Sequence, residues 1–480
     1  MGNMNMVINK KNKILIQLMT VSFFFYFFFS SAAIARVITQ LTPTLTVTQE
    51  YIDNYLKTAN GTDELISTID MGFSLGFLEK KHRLYFAYNP MYKFYDERDQ
   101  NDGLDHVVSL NGDFRPSKLS IFGYGINWTQ TAVDRVGESR SSNIFANGRL
   151  QVSDTTSLQV AQDYSRRFDQ QVDNGSFSES DVNNSSIGIT HQFGEKDSIG
   201  LNYEFAFTDF KTENSNDFNK STPSIFLSKY FTPLLGMEAW LAYETIDYEL
   251  FNNKTDTFSG NGRLIKSYTR HFDVYLNYRH TYSDQTFDTH QTYHPSVGFD
   301  WRPTPDTGIS LGVGVIFRRY DVRSDSNTEN LFFDIDMYKI FNFSKRSTLS
   351  ITGSSGYGEI DTDAASLGFN IYHQAGFNYT YKLTKRLITD FTGSYRISEY
   401  ESPDTNRTDM TANIGASLSW TILKWLELNL AYDFYDFSTD SARDDYTVNE
   451  ITLSLSMIPT RPVQMEIPAS RTTLEDKIFN

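Results

Sequence analysis

The stretch LISTIDMGFSLGF, residues 65–77, alternates apolar side chains with small or polar ones at every second position. Leu65, Met71 and Phe77 belong to the apolar phase, whereas Asp70 and Gly76 belong to the other. A period of two predicts a β-strand, because successive side chains of a strand point to opposite faces, while an amphipathic helix repeats every three or four residues. The alternation also lasts for the ~9–11 residues that a tilted transmembrane strand requires.

The same alternation recurs along the chain from about Thr42 to Met457, for example at residues 199–207 and 309–317. A closed barrel is the only strand-built structure that satisfies its backbone hydrogen bonds inside lipid. The sequence therefore predicts an all-β fold, a transmembrane antiparallel up-and-down β-barrel. Its strands number about 22, within a range of roughly 16–22 if doubtful strands are merged.

The links between these strands alternate in length. Tight links such as residues 79–82 and 303–306 are separated by longer polar links such as residues 96–105 and 167–180. Outer-membrane barrels place short turns on the periplasmic side and longer loops outside. The lengths therefore predict which end of each strand faces the cell exterior.

The first 35 residues have the pattern of a cleaved signal peptide. A basic segment with Lys10 and Lys13 precedes an apolar run at residues 14–29, and Ala33-Ile34-Ala35 fits a cleavage site. A retained membrane-anchor helix is the alternative. Residues 36–458 are then the barrel in the cell outer membrane. Residues 459–480 form a proline-containing periplasmic C-terminal tail, for which docking of a partner is the alternative role.

Composition supports a membrane barrel indirectly. The hydrophobic fraction is 39% and the mean hydropathy is −0.42, which excludes a helical membrane protein. Aromatic residues are nevertheless 15% of the chain, and barrels place such rings on the lipid face and in interfacial girdles. The chain has no cysteine, so it forms no disulfide.

The net charge is strongly negative. After removal of the signal peptide, which holds three lysines and no acid, 40 basic residues face 59 acidic ones. This balance argues against nucleic acid as a partner. It also indicates a preference for cations near the mouths of the barrel.

The start of the mature chain carries a family resemblance. The run PTLTVTQEYIDN at residues 43–54 is followed by residues 63–77 and by YFAYNPMY at residues 85–92. This order resembles the β-barrel porin 2 group, which includes outer-membrane proteins associated with exopolysaccharide and PEP-CTERM-type systems. The resemblance implies a barrel that works beside polysaccharide synthesis and export machinery and has no enzymatic activity.

Catalytic and metal-binding signatures are weak. The chain contains eight histidines, and the densest group is His290 and His294 with Asp288 and Tyr293. On one strand the two histidines would lie about 13 Å apart, too far to share one metal ion. No zinc-protease, phosphate-loop or dinucleotide motif is present. We therefore expect no enzyme activity, metal or cofactor.

The polar phases of the strands predict the residues that line the lumen. Their amides, opposite charges and aromatic rings could hydrogen-bond to sugar units or stack on them, although any wet barrel interior needs such groups for solvation. The predicted lumen-lining residues are Asn202, Glu204, Asp273, Tyr275, Asn277, Arg279, Asp300, Arg302, Asn370, Tyr372, Gln374 and Asn378.

Three functions remain open from the sequence. The first is a channel or scaffold that helps export an exopolysaccharide across the outer membrane, with periplasmic export components as partners. The second is a passive, cation-preferring diffusion porin for small solutes. The third is a structural or adhesive surface barrel with a filled lumen. All three imply outer-membrane lipid and the barrel-assembly machinery as partners.

Overall fold

The structure is a computed structural model of the chain. It describes residues 37–57, 61–97, 102–133, 137–170, 177–211, 217–249, 253–285, 289–321, 327–362, 365–401, 406–440 and 445–467. The predicted signal peptide and its cleavage site lie outside these residues. Among the described residues there is no helix long and apolar enough to cross a membrane.

Strands make up nearly all of the described chain. The first eleven are β1 (Val37–Ile52), β2 (Glu64–Leu78), β3 (His82–Tyr95), β4 (Gly103–Ser117), β5 (Ser120–Val133), β6 (Gly137–Ser153), β7 (Thr156–Gln170), β8 (Phe177–Gln192), β9 (Ser198–Phe210), β10 (Phe218–Thr232) and β11 (Leu235–Tyr248). The others are β12 (Asn253–Thr269), β13 (Phe272–Gln285), β14 (Thr289–Thr304), β15 (Thr307–Tyr320), β16 (Thr328–Ser344), β17 (Ser347–Thr362), β18 (Ala365–Lys382), β19 (Leu387–Glu401), β20 (Asn406–Leu423), β21 (Leu426–Thr439), β22 (Tyr446–Met457) and β23 (Val463–Ile467).

The sheet closes on itself. Each strand from β1 to β21 pairs antiparallel with the next one in sequence, and β22 returns to pair with β1. The closing ladder joins Leu45 to Met457 and Ile52 to Glu450. The predicted antiparallel up-and-down barrel of about 22 strands is confirmed for the described chain, since 22 strands form its wall.

The remaining strand extends the closing seam. β23 pairs with Val37 to Leu41 of β1, alongside the part of β1 that β22 does not reach. With the pairing of β1 to β2 from Ile38 onward, this contact places at least five residues before Thr42 in the sheet, ahead of the alternation that is visible in the sequence. Part of the predicted tail at residues 459–480 is therefore a strand whose backbone pairs with β1.

Connection lengths alternate around the barrel. Most links after even-numbered strands have two or three residues, for example residues 118–119 and 305–306, whereas the longest links, for example residues 53–63 and 321–327, follow odd-numbered strands; the link after β17, residues 363–364, is an exception. By the usual asymmetry of these barrels, the short links face the periplasm and the longer ones face the exterior.

The Asp53 side chain fastens the seam at its extracellular end. Its carboxylate accepts hydrogen bonds from the Asn449 backbone N–H at 2.7 Å and from Asn449 Nδ2 at 2.6 Å. The Asp53 backbone N–H also donates to the Asn449 carbonyl at 3.1 Å. These contacts join the first and last strands of the barrel just beyond their shared ladder.

Replacing Asp53 by alanine should weaken this seam. We expect Asp53→Ala to lower the free energy of unfolding by about 1–2 kcal/mol, because two hydrogen bonds to a charged group are lost at a partly exposed site. The change is measurable as a lower urea midpoint for the protein refolded in lipid vesicles. Asp154→Ala, in an exposed periplasmic turn, is the matched control, and an equal shift in both variants would contradict this role.

Candidate functional site in the barrel lumen

The lumen is too wide for side chains of the wall to fill. The 22 wall strands, spaced about 4.8 Å apart and tilted about 40°, enclose a barrel about 40 Å across between opposite backbones. Barrels of this strand number in outer-membrane transporters usually hold a plug. Within the described residues, every element belongs to the wall or to its turns, so any constriction there is formed by the wall itself.

The exposed apolar side chains identify the outer face of the wall. On β13, Leu276 is 56% exposed and Tyr278 is 47% exposed, whereas Tyr275 is 4% exposed and Asn277 is 3% exposed. Leu201, Val297 and Phe377 mark the outer phase of β9, β14 and β18 in the same way. The residues with the opposite, lumenal phase on these strands are Asn202, Glu204, Asp273, Tyr275, Asn277, Arg279, Asp300, Arg302, Asn370, Tyr372, Gln374 and Asn378.

One group of these residues forms a charged and aromatic cluster on β12–β15. Arg263 Nη2 lies 2.5 Å from Asp300 Oδ2, and the Arg263 guanidinium lies 3.8 Å from the centroid of the Tyr275 ring. The backbones at Gly298 and Gly312 allow this arrangement, since a Cβ at either glycine would lie within 3 Å of the Tyr275 hydroxyl. The ring thus lies flat on the lumenal surface and holds the arginine beside its acid.

A second set of polar contacts joins side chains of β13 to those of β14 and β16. Arg279 Nη2 lies 3.5 Å from Asp334 Oδ2, and Asn277 Nδ2 donates to Ser296 Oγ at 3.4 Å. Asp273 lies directly across the ladder from Asp300, one strand away. The ion pair and the amide hydrogen bond stabilise the wall and use polar groups that would otherwise face the lumen, whereas Asp273 and Asp300 place two like charges opposite each other.

The other predicted residues lie apart from this cluster. Asn202 donates to Glu204 at 2.8 Å on β9, three strands away from β12. Tyr372 lies under the Arg396 guanidinium at 4.3 Å from its ring centroid, and Gln374 is paired with Arg396 across the β18–β19 ladder. Arg302 is exposed beside the short β14–β15 turn. The predicted set is therefore distributed over three regions of the wall.

The wall is interrupted between β16 and β17. Their ladder runs from the periplasmic turn to the pair Asp336↔Ser354 and ends there over the described residues, although both strands continue toward the exterior. At this point the Ser355 hydroxyl accepts a hydrogen bond from the Ile335 backbone N–H at 2.7 Å and donates to the Phe333 carbonyl at 2.7 Å. The Ser355 side chain thus takes the place of backbone hydrogen bonds between β16 and β17 at this point.

Beyond the interruption, β17 and β18 lie on the lumenal side of β14–β16. Tyr357 has the outer phase of β17, yet its ring centroid lies 5.2 Å from that of Phe332, which has the lumenal phase of β16. Phe369 and Ile371, of the outer phase of β18, join Phe332 and Ile316 in one buried cluster. The outer face of β17 and β18 therefore covers the lumenal face of β15 and β16. We call residues 355–362 of β17 and 365–373 of β18 the inner flap.

Polar contacts accompany the apolar ones under the inner flap. The buried His294 Nδ1 lies 3.1 Å from the Tyr357 hydroxyl, and the Arg279 guanidinium lies 5.9 Å from the Tyr357 ring centroid. Asn370, a predicted lumen-lining residue, is 2% exposed. On the covered strands, Ile316, Phe332 and His294 are each at most 1% exposed, so the flap makes this part of β14–β16 an interior.

His290 and His294 pack against aromatic rings of the neighbouring strands. His294 contacts the rings of Phe332 and Tyr357, and His290 contacts the ring of Tyr320. Among the described residues, no group of three or more His, Asp or Glu side chains could hold a metal ion.

The residues under the flap were missed by sequence reasoning. Ile316 follows Ser310, Gly312 and Gly314 in the lumenal phase of β15, and Phe332 occupies the same phase of β16. In the sequence, large apolar residues at otherwise polar, lumenal positions therefore indicate that another segment covers this part of the wall.

Comparison with protein families gives one match. Residues 347–457 match the family model described as "Putative beta-barrel porin 2". The resemblance predicted from the start of the mature chain is thus confirmed, over the last six strands of the wall. No curated protein matches the chain in sequence.

Solved structures of outer-membrane receptors share the fold. A variant of the ferric enterobactin receptor PfeA from Pseudomonas aeruginosa aligns with a TM-score of 0.58 and 7% identity, over 88% of this chain and 81% of that chain. The siderophore receptor PirA from Acinetobacter baumannii aligns with a TM-score of 0.56 and 8% identity, over 88% of this chain and 80% of that chain. At these identities the likeness concerns the fold. Residues 347–457 thus resemble a family of β-barrel porins, and the chain shares its fold with outer-membrane β-barrels.

Proposed function

We propose that this barrel is an outer-membrane channel for hydrophilic cargo, and that the cargo is an extracellular polysaccharide leaving the cell. The observation that carries the proposal is a 22-strand circumference lined by polar side chains. Side chains extending from opposite walls of such a barrel cannot meet across it. Water and a hydrated polymer chain can therefore occupy the space that remains beside the inner flap.

The lumenal surface of β18 and β19 suits sugar units. Tyr372 presents a ring backed by Arg396, and Gln374 and Asn378 present amides along the same strand. Amides both donate and accept hydrogen bonds, as sugar hydroxyls do, and aromatic rings pack against apolar faces. Such contacts would guide a polymer along the wall without holding it tightly. The resemblance to barrels beside polysaccharide machinery supports this cargo and periplasmic export components as partners.

Two other functions have an observation in their favour. The excess of 59 acidic over 43 basic residues in the chain favours a passive, cation-preferring diffusion porin. The inner flap, which already covers part of the lumen, favours a structural or adhesive barrel with a filled lumen. None of the three functions requires a catalytic step.

Electrical measurements separate these functions. We expect the mature protein, residues 36–480, to conduct ions in planar bilayers. We also expect neutral oligosaccharides of increasing length to slow that current when added on the side of the short turns. Steady cation-selective current without any effect of sugar would instead support a passive porin. Absence of both ion current and sugar permeation into vesicles would contradict a channel and support a filled barrel.

A paired substitution tests the sugar contact. Tyr372→Ala should weaken the effect of oligosaccharide on the current by about two- to tenfold, because one aromatic contact is removed. Tyr395→Ala is the matched control, since Tyr395 lies on the outer face of the neighbouring β19. Deletion of the gene in the native cell should also reduce extracellular polysaccharide. Unchanged polysaccharide would contradict this cargo while leaving the channel itself intact.

A further inference from the structure

We propose that Trp240 is a sugar-binding platform on the lumenal wall, and that its surroundings select sugar units without a negative charge. The inference rests on the polysaccharide channel proposed above and names the class of cargo that the channel accepts. Binding at this platform can be measured without any transport.

The first argument is the face on which Trp240 lies. On β11 it is directly opposite Phe226 of β10 and Asn261 of β12, and Asn261 is opposite the lumenal Arg279 of β13. Residues directly opposite each other in an antiparallel ladder share a face, so the Trp240 ring belongs to the lumen. The ring is 43% exposed, and it therefore meets lumenal water.

The other tryptophans lie elsewhere, although all five fall within the described residues. Trp128, Trp301 and Trp420 have the outer phase of β5, β14 and β20, where tryptophan is favoured at the membrane interface. Trp425 lies in the short link between β20 and β21. Of the five tryptophans, Trp240 is therefore the one whose ring faces the lumen.

The second argument is that no aromatic ring or cation of the described residues covers Trp240. Three tyrosines of the lumenal face each lie under a guanidinium, at 3.8, 4.3 and 5.1 Å from the ring centroid; they are Tyr275, Tyr372 and Tyr400. Phe226 lies over β9, on the side away from Trp240, because a Cβ at Gly200 would overlap the Phe226 ring. The Trp240 ring is thus left available to a solute.

The surroundings of Trp240 suit a sugar ring. An indole offers a large apolar face, against which the C–H groups of a sugar ring pack. Asn261 lies directly across the ladder from Trp240, and Glu238 lies two residues along the same strand. Amide and carboxylate oxygens accept hydrogen bonds from hydroxyl groups. An apolar surface with a few polar groups beside it is the usual composition of a ligand site.

A depression in the wall continues this surface toward the exterior. It has a volume of about 360 Å³, with Ala161 and Ala206 on its floor and Glu204 and Thr222 at its edge. Thr222 lies four residues from Phe226 on β10, or about 13 Å along the strand. An oligosaccharide can therefore contact both the platform and the depression, whereas a single sugar unit can contact only one of them.

The third argument is the charge around the platform. Among the described residues, the cations on the lumenal face of β9–β13 are each paired with a carboxylate; the pairs are Lys220–Glu244, Arg263–Asp300 and Arg279–Asp334. Glu204, Glu238 and Asp273 share this face, and none of the three is in an ion pair with a described residue. The lumen beside Trp240 therefore carries an excess of negative charge.

This excess determines which sugars the platform selects. An ammonium group on a sugar would be attracted to the unpaired carboxylates, and to the Trp240 ring by a cation–π interaction. A uronic acid would be repelled by the same carboxylates. We therefore expect amino sugars to bind most tightly, neutral sugars less tightly and uronic acids most weakly. Because the lumen is wet, the preference for amino sugars should decrease as the salt concentration increases.

Tryptophan fluorescence of the refolded mature protein measures binding at the platform. A glucosamine tetramer and a glucose tetramer of the same linkage should change the emission saturably, with glucosamine binding about threefold tighter at low salt. A glucuronate tetramer should have no effect. The change should vanish in Trp240→Phe and persist in Trp425→Phe, the matched control, since Trp425 is 46% exposed. Emission that no tetramer changes, or that changes equally in Trp240→Phe, would overturn the platform.

Calorimetric titration with the same tetramers separates stacking from charge. Trp240→Ala should weaken the binding of both the glucosamine and the glucose tetramer by about three- to tenfold. Glu238→Gln should weaken only the glucosamine tetramer and reduce its dependence on salt. Trp420→Ala, which removes an equally exposed ring from the outer face, should leave both affinities unchanged. Tighter binding of glucuronate than of glucose would contradict the selection by charge.

The outcomes distinguish the platform from the channel. Saturable binding at Trp240 in a protein that never conducts would support the platform and contradict the proposed channel. A current that oligosaccharides slow, with no change in Trp240 emission, would support the channel and overturn the platform.

Discussion

Phe332→Ala is expected to lower the free energy of unfolding by about 3–5 kcal/mol, the cost of emptying a buried phenylalanine site. Phe332 is 1% exposed and contacts His294, Tyr357 and His373 as well as the apolar cluster. Most of these partners belong to the inner flap, so the loss should fall mainly on the contact between the flap and the wall. Urea unfolding in lipid vesicles, followed by tryptophan fluorescence, measures the change.

The adjacent residue supplies the control. Phe333 has the outer phase of the same strand and contacts lipid, so Phe333→Ala should cost less than about 2 kcal/mol. The two variants remove the same side chain from neighbouring positions with opposite orientation. Equal losses would show that the lumenal contact of Phe332 contributes little, and would contradict a packed flap.

Gly298→Val is expected to be at least as harmful, with a loss of about 3 kcal/mol or more from overpacking. A Cβ at this position would lie 2.3 Å from the Leu311 carbonyl oxygen and 2.5 Å from the Tyr275 hydroxyl. The tyrosine could rotate away, but then Arg263 would lose the ring that holds it beside Asp300. The backbone carbonyl cannot move without disturbing the β14–β15 ladder. The fraction of refolded protein that resists dissociation in detergent gels is the readout.

Gly262→Val is the matched control for this prediction. Gly262 lies on neighbouring β12, and nothing lies within 4 Å of a Cβ built there. Valine also favours strands, so this variant should fold as well as the parent protein. Failure of both variants would mean that the wall rejects valine generally, and that the contact with Tyr275 is not the cause.

Much of the wall could be predicted from the sequence because the barrel repeats one local rule. The period of two in residues 65–77 assigns Met71 to the outer face and Asp70 to the lumenal face, and the structure agrees. Link lengths predict which end of the barrel faces the exterior by the same kind of local rule, and that orientation stays a prediction. These properties depend on neighbouring residues only, so alternation alone was sufficient to predict them.

The inner flap could not be predicted in this way. The alternation assigns Tyr357, Phe369 and Ile371 to the lipid face, and each keeps that phase on its own strand. They are buried because the strands that carry them lie inside another part of the wall, a relation between segments distant in sequence. The pairing of Arg263 with Asp300 is similar, since alternation gives the face but not the partner.

The closing seam also bears on how the barrel forms. Thr46 and Ser456 are hydrogen-bonded at 3.1 Å although 410 residues separate them, and loop-closure entropy makes such distant pairing slow. β1 has 16 residues and β22 has 12, so β22 alone cannot cover the first strand. β23 pairs with the remainder. In the described chain, closure of this barrel therefore takes two docking events at one strand, first with β22 and then with β23.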